Sequence, residues 1–146
     1  MYKHILIPTD GSDLSWLAAR AGIALAKALD ARVTAITVSA PFRTVSVDPA
    51  MVASTPEQYQ KESDVVAERY LGTAAEAAKT ACVVCGTVRV VGDRPYQAII
   101  ETAQAKGCDL IFMASHGRSG ISAVLLGSET MKVLTHSTIP VLVYRQ

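Results

Sequence analysis

The sequence predicts an α/β protein: a doubly wound, open, five-stranded parallel sheet in the order 3-2-1-4-5, with helices on both faces. Three observations lead there. Short runs rich in Ile, Val and Leu alternate with longer stretches whose apolar residues recur at helical spacing, and that alternation implies parallel strands joined by right-handed crossovers. Two of the runs, His4-Ile5-Leu6-Ile7 and Leu110-Ile111-Phe112-Met113, are almost unbroken, as in strands covered on both faces. Each is followed by a turn-rich segment, Pro8-Thr9-Asp10 and Ala114 to Gly117. Ligands in such sheets bind beyond the carboxyl ends of the strands, where the winding reverses. Only strand one beside strand four brings the two segments together there.

Each element has a local reason. Lys3 to Thr9 is the first strand, ended by Pro8-Thr9-Asp10-Gly11-Ser12, where Gly11 gives a tight turn and Ser12 or Asp13 can cap a helix. That helix runs from Asp13 to Leu29, with Leu14, Leu17, Ala18, Ala21, Leu25 and Ala28 as its apolar stripe. Arg32 to Ser39 is the second strand, rich in Val, Ile and Thr. Ala40 to Ser54 shows no period and reads as a loop. Thr55-Pro56-Glu57-Gln58 then carries a cap, a proline at the first helical position and a capping box, opening a helix to about Ala81. Val83 to Val91 is the third strand; Gly86, Thr87 and Arg89 interrupt it, as fits an edge. A helix from Pro95 to Lys106 buries Tyr96, Ile99, Ile100 and Ala103, and Gly107 stops it. Asp109 to Ser115 is the fourth strand. Ser128 to His136 is a short helix with Met131 and Leu134 inward, and Ile139 to Tyr144 is the fifth strand.

The chain's 146 residues, half of them hydrophobic and 18% charged, are expected to form a single domain, 1–146, with a packed core. The formal charge of +1 offers no footprint for nucleic acid. No apolar run approaches the ~20 residues that span a bilayer, and the apolar start is too short for a secretion signal; a cytoplasmic protein is expected. Cys82 and Cys85 form a C-x-x-C at the end of a helical pattern rather than at a helix start, where the dipole would lower a thiol pKa. No second pair follows at zinc spacing, so the three cysteines read as small buried or half-buried residues, and no metal site is expected.

The chemistry concentrates between Ala114 and Ser128: strand, small-residue loop, helix start. A helix start offers unpaired N–H groups and the positive end of a dipole. Gly117, Gly120 and Gly127 let the backbone approach a ligand, Ser115, Ser119 and Ser128 add hydroxyls, and Arg118 adds charge. No Gly-Lys-Ser/Thr occurs, so this is not a Walker loop, and a dinucleotide fingerprint would follow the first strand. Asp10 is either a carboxylate for a ribose or base, or a local cap. His116, a candidate acid or base by its ordinary pKa, has no identifiable partner. No Gly-x-Ser-x-Gly elbow exists, and no catalytic residue is assigned.

Ile5-Leu6-Ile7-Pro8-Thr9-Asp10-Gly11-Ser12, Met113-Ala114-Ser115-His116-Gly117-Arg118-Ser119-Gly120, Leu125-Leu126-Gly127-Ser128 and Ile139-Pro140-Val141-Leu142-Val143 together resemble the universal stress proteins, over nearly the whole chain. The resemblance implies a Rossmann-like fold of the adenine nucleotide alpha hydrolase type. The ATP-binding members carry Gly, two residues, Gly, nine residues, then Gly-Ser or Gly-Thr; here Gly117 and Gly127-Ser128 fit, while Ala114 stands where the first glycine belongs. By that similarity Asp10 bonds the adenosine end, Pro8, Val38 and Met113 line the adenine pocket, Gly117 and Arg118 approach the phosphates, and Gly127 and Ser128 hold their far end. Thr9, Ala114, Ser115, His116, Gly120 and Glu129 complete the expected nucleotide site. ATP, with Mg2+ accompanying its phosphates, is the implied ligand, and a homodimer through the last strand the implied assembly. The apolar edge Val141 to Tyr144 independently invites pairing. The leading expectation is a nucleotide-dependent stress-response switch or adaptor with at most slow hydrolysis. The alternative is a nucleotide-free dimeric interaction module, favoured by Ala114. An ATP-activating enzyme ranks last, because no Ser-Gly-Gly-type loop follows the first strand.

Overall fold

The computed structural model describes residues 1–43, 49, 53–118 and 125–146. Most of the loop expected over 40–54, together with Ser119 and Gly120, lies outside the described residues. The elements are β1 (His4–Pro8), α1 (Asp13–Leu29), β2 (Arg32–Ser39), α2 (Pro56–Thr80), β3 (Cys85–Val91), α3 (Pro95–Lys106), β4 (Leu110–Ala114), α4 (Ser128–His136) and β5 (Val141–Tyr144). The strands form one five-stranded parallel sheet in the order β3-β2-β1-β4-β5. The winding therefore reverses between β1 and β4, where Ile5 pairs with both Val33 and Leu110.

Alternation along the central strands sorts their side chains to two faces. Ile5, Ile7, Val33, Leu110, Phe112 and Ala114 pack with α1 in one cluster. Leu6, Ile36, Ile111 and Met113 pack with Ile99, Ile100 and Ala103 of α3 and Val133 of α4 in the other. Ile5, Leu6, Ile36 and Ile111 are fully buried, each contributing roughly 2 kcal/mol relative to exposure.

Caps set the helix limits. Ser12 accepts from the Ser15 amide at the start of α1, and Thr55 and Gln58 complete the capping box of α2. Gly107 ends α3 at φ 66°.

The buried side of α1 differs from the expected stripe. It consists of Leu14, Ser15, Ala18, Ala19, Gly22, Ile23 and Ala26, and Ala28 is exposed. The helix lies so close to the sheet that a Cβ on Gly22 would meet Ile7 Cδ1 at 2.8 Å. Small residues, polar ones included, make that contact, and the bulkier Leu25 packs at its margin. On α4 the inward residues are Thr130 and Val133, not Met131 and Leu134, which are exposed. The short helix turns its small face to β4, where the Thr130 hydroxyl donates to the Ala114 carbonyl at 3.0 Å. Cys82 is likewise exposed rather than buried, in a left-handed turn (φ 59°) after α2. Burial raises the Cys85 thiol and pushes Cys108 up to about 11.

Candidate functional site

The two segments expected to meet do meet. They flank the reversal point at the carboxyl ends of β1 and β4, and the Arg118 amide donates to Asp10 Oδ2 at 2.9 Å. The other Asp10 oxygen accepts from the Ser12 amide (3.0 Å) and hydroxyl (2.6 Å). Burial pushes this carboxyl up, but the donors from Ser12, Arg118 and Ser15 together outweigh it and hold Asp10 below the ordinary carboxylate range. Asp10 is thus an ionised clasp between the two segments. It serves as the local cap that the sequence offered as one alternative, and it also ties the turn to the β4 loop, a contact the sequence did not predict. Beneath it, the Thr37 hydroxyl donates to the Thr9 carbonyl at 2.8 Å, and the Thr9 and Ser15 hydroxyls lie 3.3 Å apart.

A cavity of about 790 Å³ opens beside the clasp, within the range of small-molecule sites. Pro8, Thr9, Asp10, Val38, Met113, Ala114, His116, Gly117, Arg118, Gly127, Ser128 and Glu129 all line it. Ser115 does not. It is buried, its hydroxyl lies 3.2 Å from His116 Nδ1, and its carbonyl accepts from the Gly127 amide at 2.7 Å. It holds the loop from behind instead of facing a ligand. Gly120 falls outside the described residues.

Among the described residues, seven further lining residues escaped the sequence reading: Ser15, Ile36, Pro95, Ile99, Leu125, Leu126 and Thr130. Ile99 read as core, and both it and Ile36 are core. The signal available was topological: the first turn of α3 follows β3 and so also arrives at the carboxyl end of the sheet.

The cavity has two chemistries. Pro8, Ile36, Val38, Pro95, Ile99 and Met113 offer an apolar slot built from β1, β2, β4 and α3. Gly117, Arg118, Gly127 and Ser128 offer backbone, charge and hydroxyl from the β4–α4 connection, with Asp10 at the β1 side.

The helix starts around it are not equivalent. Ser12 caps α1, and α3 is served by Glu129, whose Oε2 accepts from the Tyr96 amide at 2.9 Å while Oε1 takes Lys132 Nζ at 2.8 Å. The start of α4 has Gly127 as its cap residue and no side-chain cap. Its orphan amides and dipole are what an anion would find.

Two glycines keep this end open. A Cβ on Gly117 would collide with Asp10 Oδ2, and one on Gly127 would stand 3.0 Å from His116 Cα. Ala114, the residue that departs from the resemblance, is 7% exposed and belongs to the α1-side cluster with Phe112. Its methyl is largely absorbed by the core, although the residue borders the cavity.

Among the described residues no group of three or more His, Cys, Asp or Glu is placed to hold a metal ion, and no helix is long and apolar enough to cross a membrane.

An open, doubly wound parallel sheet with a crevice outside the carboxyl ends of its strands, at the point where the winding reverses, defines the class of α/β protein. Comparison with known proteins gives the family. The model of the universal stress protein family matches residues 1–145, so the chain belongs to that family. It is similar to universal stress protein MJ0531 of Methanocaldococcus jannaschii, 35% identical over 149 residues that cover 100% of this chain and 84% of that protein. Among solved structures it resembles protein MJ0577 of the same organism, with a TM-score of 0.83, 27% identity and coverage of 100% and 97% of the two chains. It also resembles a universal stress protein in complex with cAMP, with a TM-score of 0.72, 28% identity and coverage of 99% and 97%.

Proposed function

We propose that this protein binds an adenine nucleotide in the 790 Å³ cavity, ATP being the form that acts, and works as a nucleotide-dependent switch or adaptor in stress response. One observation carries the reading: the uncapped start of α4 stands across the cavity from an apolar slot, with the ionised Asp10 at its side. A flat base needs the slot, a ribose hydroxyl needs a carboxylate acceptor, and phosphates need backbone donors. The relative in complex with cAMP supports an adenine nucleotide over other anions of that shape.

In this reading Pro8, Val38 and Met113 contact the base, joined by Ile36, Pro95 and Ile99. Asp10 accepts from the ribose, and Gly117, Arg118, Gly127 and Ser128 surround the phosphates. Glu129 acts indirectly, through the amide of Tyr96 and the ammonium of Lys132. Both carboxylates at the cavity, Asp10 and Glu129, already hold donors. A Mg2+ would therefore arrive on the phosphates rather than in a protein cage, with the Ser128 hydroxyl at the proposed phosphate end available to it. No lysine is among the described lining residues, and hydrolysis is accordingly slow. Ala114, the reason to consider a nucleotide-free module, packs in the α1-side cluster while bordering the cavity, which supports the nucleotide-binding reading over that alternative.

The same reading extends to assembly. Met131 and Leu134 on α4 and Leu142 on the edge strand β5 are exposed apolar residues. An uncovered strand edge beside such residues favours pairing with a second copy.

Mass spectrometry of small molecules released from freshly purified protein, followed by calorimetric titration with ATP, tests the proposal. A co-purified adenine nucleotide or saturable ATP binding is expected. Protein that releases none and shows neither binding nor thermal stabilisation by ATP contradicts it.

A further inference from the structure

Asp10 owes its direction to the turn that carries it, and that turn is pressed from a helix far along the chain. Gly11 has φ +78°, a conformation that favours glycine. It has a second reason to be glycine: a Cβ built there would collide with Cζ and Cε1 of the ring of Tyr70, a residue of α2. The ring therefore lies against the bare α-carbon between Asp10 and Ser12. It is held from its own helix by Arg69, whose Cζ stands 5.5 Å from the ring centroid. The helix is in turn anchored to the sheet next to this point, where Ala67, Leu71 and Ala74 are buried. Tyr70 does not line the cavity.

From this contact we infer that Tyr70 is a positioning residue for the nucleotide site, acting through Gly11 on Asp10. The inference rests on the cavity being the nucleotide site. A glycine turn has the widest backbone freedom of any residue, and here a rigid aromatic face removes it. With the turn fixed, Asp10 keeps one oxygen on Ser12 and the other on Arg118. Both the ribose acceptor and the phosphate-side loop are then in place before a ligand arrives, which reduces the ordering cost of binding. Without the ring, the turn samples other conformers and the clasp to Arg118 loosens.

The test compares ATP titrations of wild type, Tyr70→Phe, Tyr70→Ala and Val65→Ala, with amide exchange measured on wild type and Tyr70→Ala. Tyr70→Phe keeps the ring and should bind like wild type. Tyr70→Ala should bind about tenfold more weakly, the usual scale for a contact that couples two groups. Val65→Ala, on the same helix but 65% exposed, should change nothing. In Tyr70→Ala the Ser12 and Arg118 amides, which donate to Asp10, should lose protection while those of Ala18 and Ile23 inside α1 keep theirs.

Wild-type affinity in Tyr70→Ala overturns the inference and leaves the nucleotide reading standing. Equal losses in Phe and Ala overturn it too, because the hydroxyl and not the ring would then matter. Protection lost equally at Ala18 and Ile23 shows a structural role only and also overturns it; should the alanine variant not fold, Tyr70→Leu takes its place. If wild type itself does not bind ATP, the site reading fails, and unchanged protection at Ser12 and Arg118 would then overturn the role of Tyr70 separately.

Discussion

At the carboxyl ends of the strands this protein presents helix starts; at the amino ends it presents helix ends. The first end carries the 790 Å³ cavity, with the uncapped amides of α4, Arg118 and the Asp10 clasp. The second carries a recess of about 260 Å³ beside the ends of α1 and α2, where Asp30 and Cys82 turn left-handed and Lys27 and Arg32 line the wall. Helix ends expose carbonyls and the negative pole of the dipole, and these cations already complement them. The same chain therefore offers donors at one end and acceptors at the other. Parallel strands with helical crossovers enforce that polarity, and the proposed nucleotide belongs at the donor end.

The most severe way to break the comparison is to push α4 away from the β4 loop. Gly127→Leu places atoms where His116 Cα is already 3.0 Å from a Cβ. Two lost backbone bonds to phosphate at about 1.5 kcal/mol each correspond to on the order of a hundredfold, so nucleotide affinity should fall by that factor while circular dichroism stays native. Unchanged affinity would mean that the start of α4 is not where the phosphates sit. An equally drastic change in the recess, Arg32→Leu, should leave affinity as it was.

Asp10→Ala comes next. It removes the acceptor for Ser12 and Arg118 together, and a weakening of about tenfold is expected for one lost charge-assisted bond plus a looser loop. Trypsin sensitivity at Arg118 should rise in the ligand-free variant and remain low in wild type with ATP. A variant with wild-type affinity and unchanged cleavage would remove the clasp from the account.

Acid sharpens the comparison from the opposite end. His4 lies at the amino end of β1, buried, with Nε2 2.7 Å from the Thr34 hydroxyl. Burial, then the charge of Arg32, lower its pKa from the ordinary 6.5, against the Lys106 carbonyl and Asp109, which raise it. The unfolded chain thus binds the proton more readily than the folded one. The stability due to His4 is complete above about pH 6.5 and is lost as pH falls from there through the folded value. Asp10 and Asp109, both held below the ordinary 3.8, add a second loss that begins only near pH 4. Melting temperature should therefore drop between pH 7.5 and 5.5 in wild type and drop less in His4→Gln. Each kcal/mol corresponds to about 2–4 °C at this chain length. Parallel curves for the two proteins would assign the pH dependence elsewhere.

Much of the architecture was legible because it depends on local rules. The cap at Ser12, the capping box of Thr55 and Gln58, the stop at Gly107 and the apolar runs of β1 and β4 place the elements by themselves, and the reversal between β1 and β4 then follows from topology. The two cavity margins were legible for the same reason. What escaped depends on how an element is rotated against its neighbours. Ser15 and Gly22 of α1 are buried because the helix approaches closely, which a scale of side-chain hydrophobicity does not register. Met131 and Leu134 read as inward because they are the large apolar residues of a short helix, yet Thr130 faces the sheet and bonds the Ala114 carbonyl. Ile36 and Ile99 serve the core and the cavity at once, and nothing in their spacing separates the two uses.

Ala114 joins that lesson to the smallest expected effect. In sequence it is a departure at a glycine position, and an added methyl near phosphates reads as an obstruction. In the fold, alternation along β4 sends Leu110, Phe112 and Ala114 to the α1 side and Ile111 and Met113 to the other. The methyl is thus directed mainly at packed side chains. Ala114→Gly should change ATP affinity by less than about twofold, within the scatter of substitutions that alter no ligand contact. It should cost about 1 kcal/mol of stability, because a strand glycine loses more backbone entropy and leaves a methyl-sized gap. Tighter binding by tenfold with no loss of stability would place the methyl in the ligand's path after all. The polarity of the two ends would survive that result, because it rests on the direction of the helices and not on the side chain at one strand end.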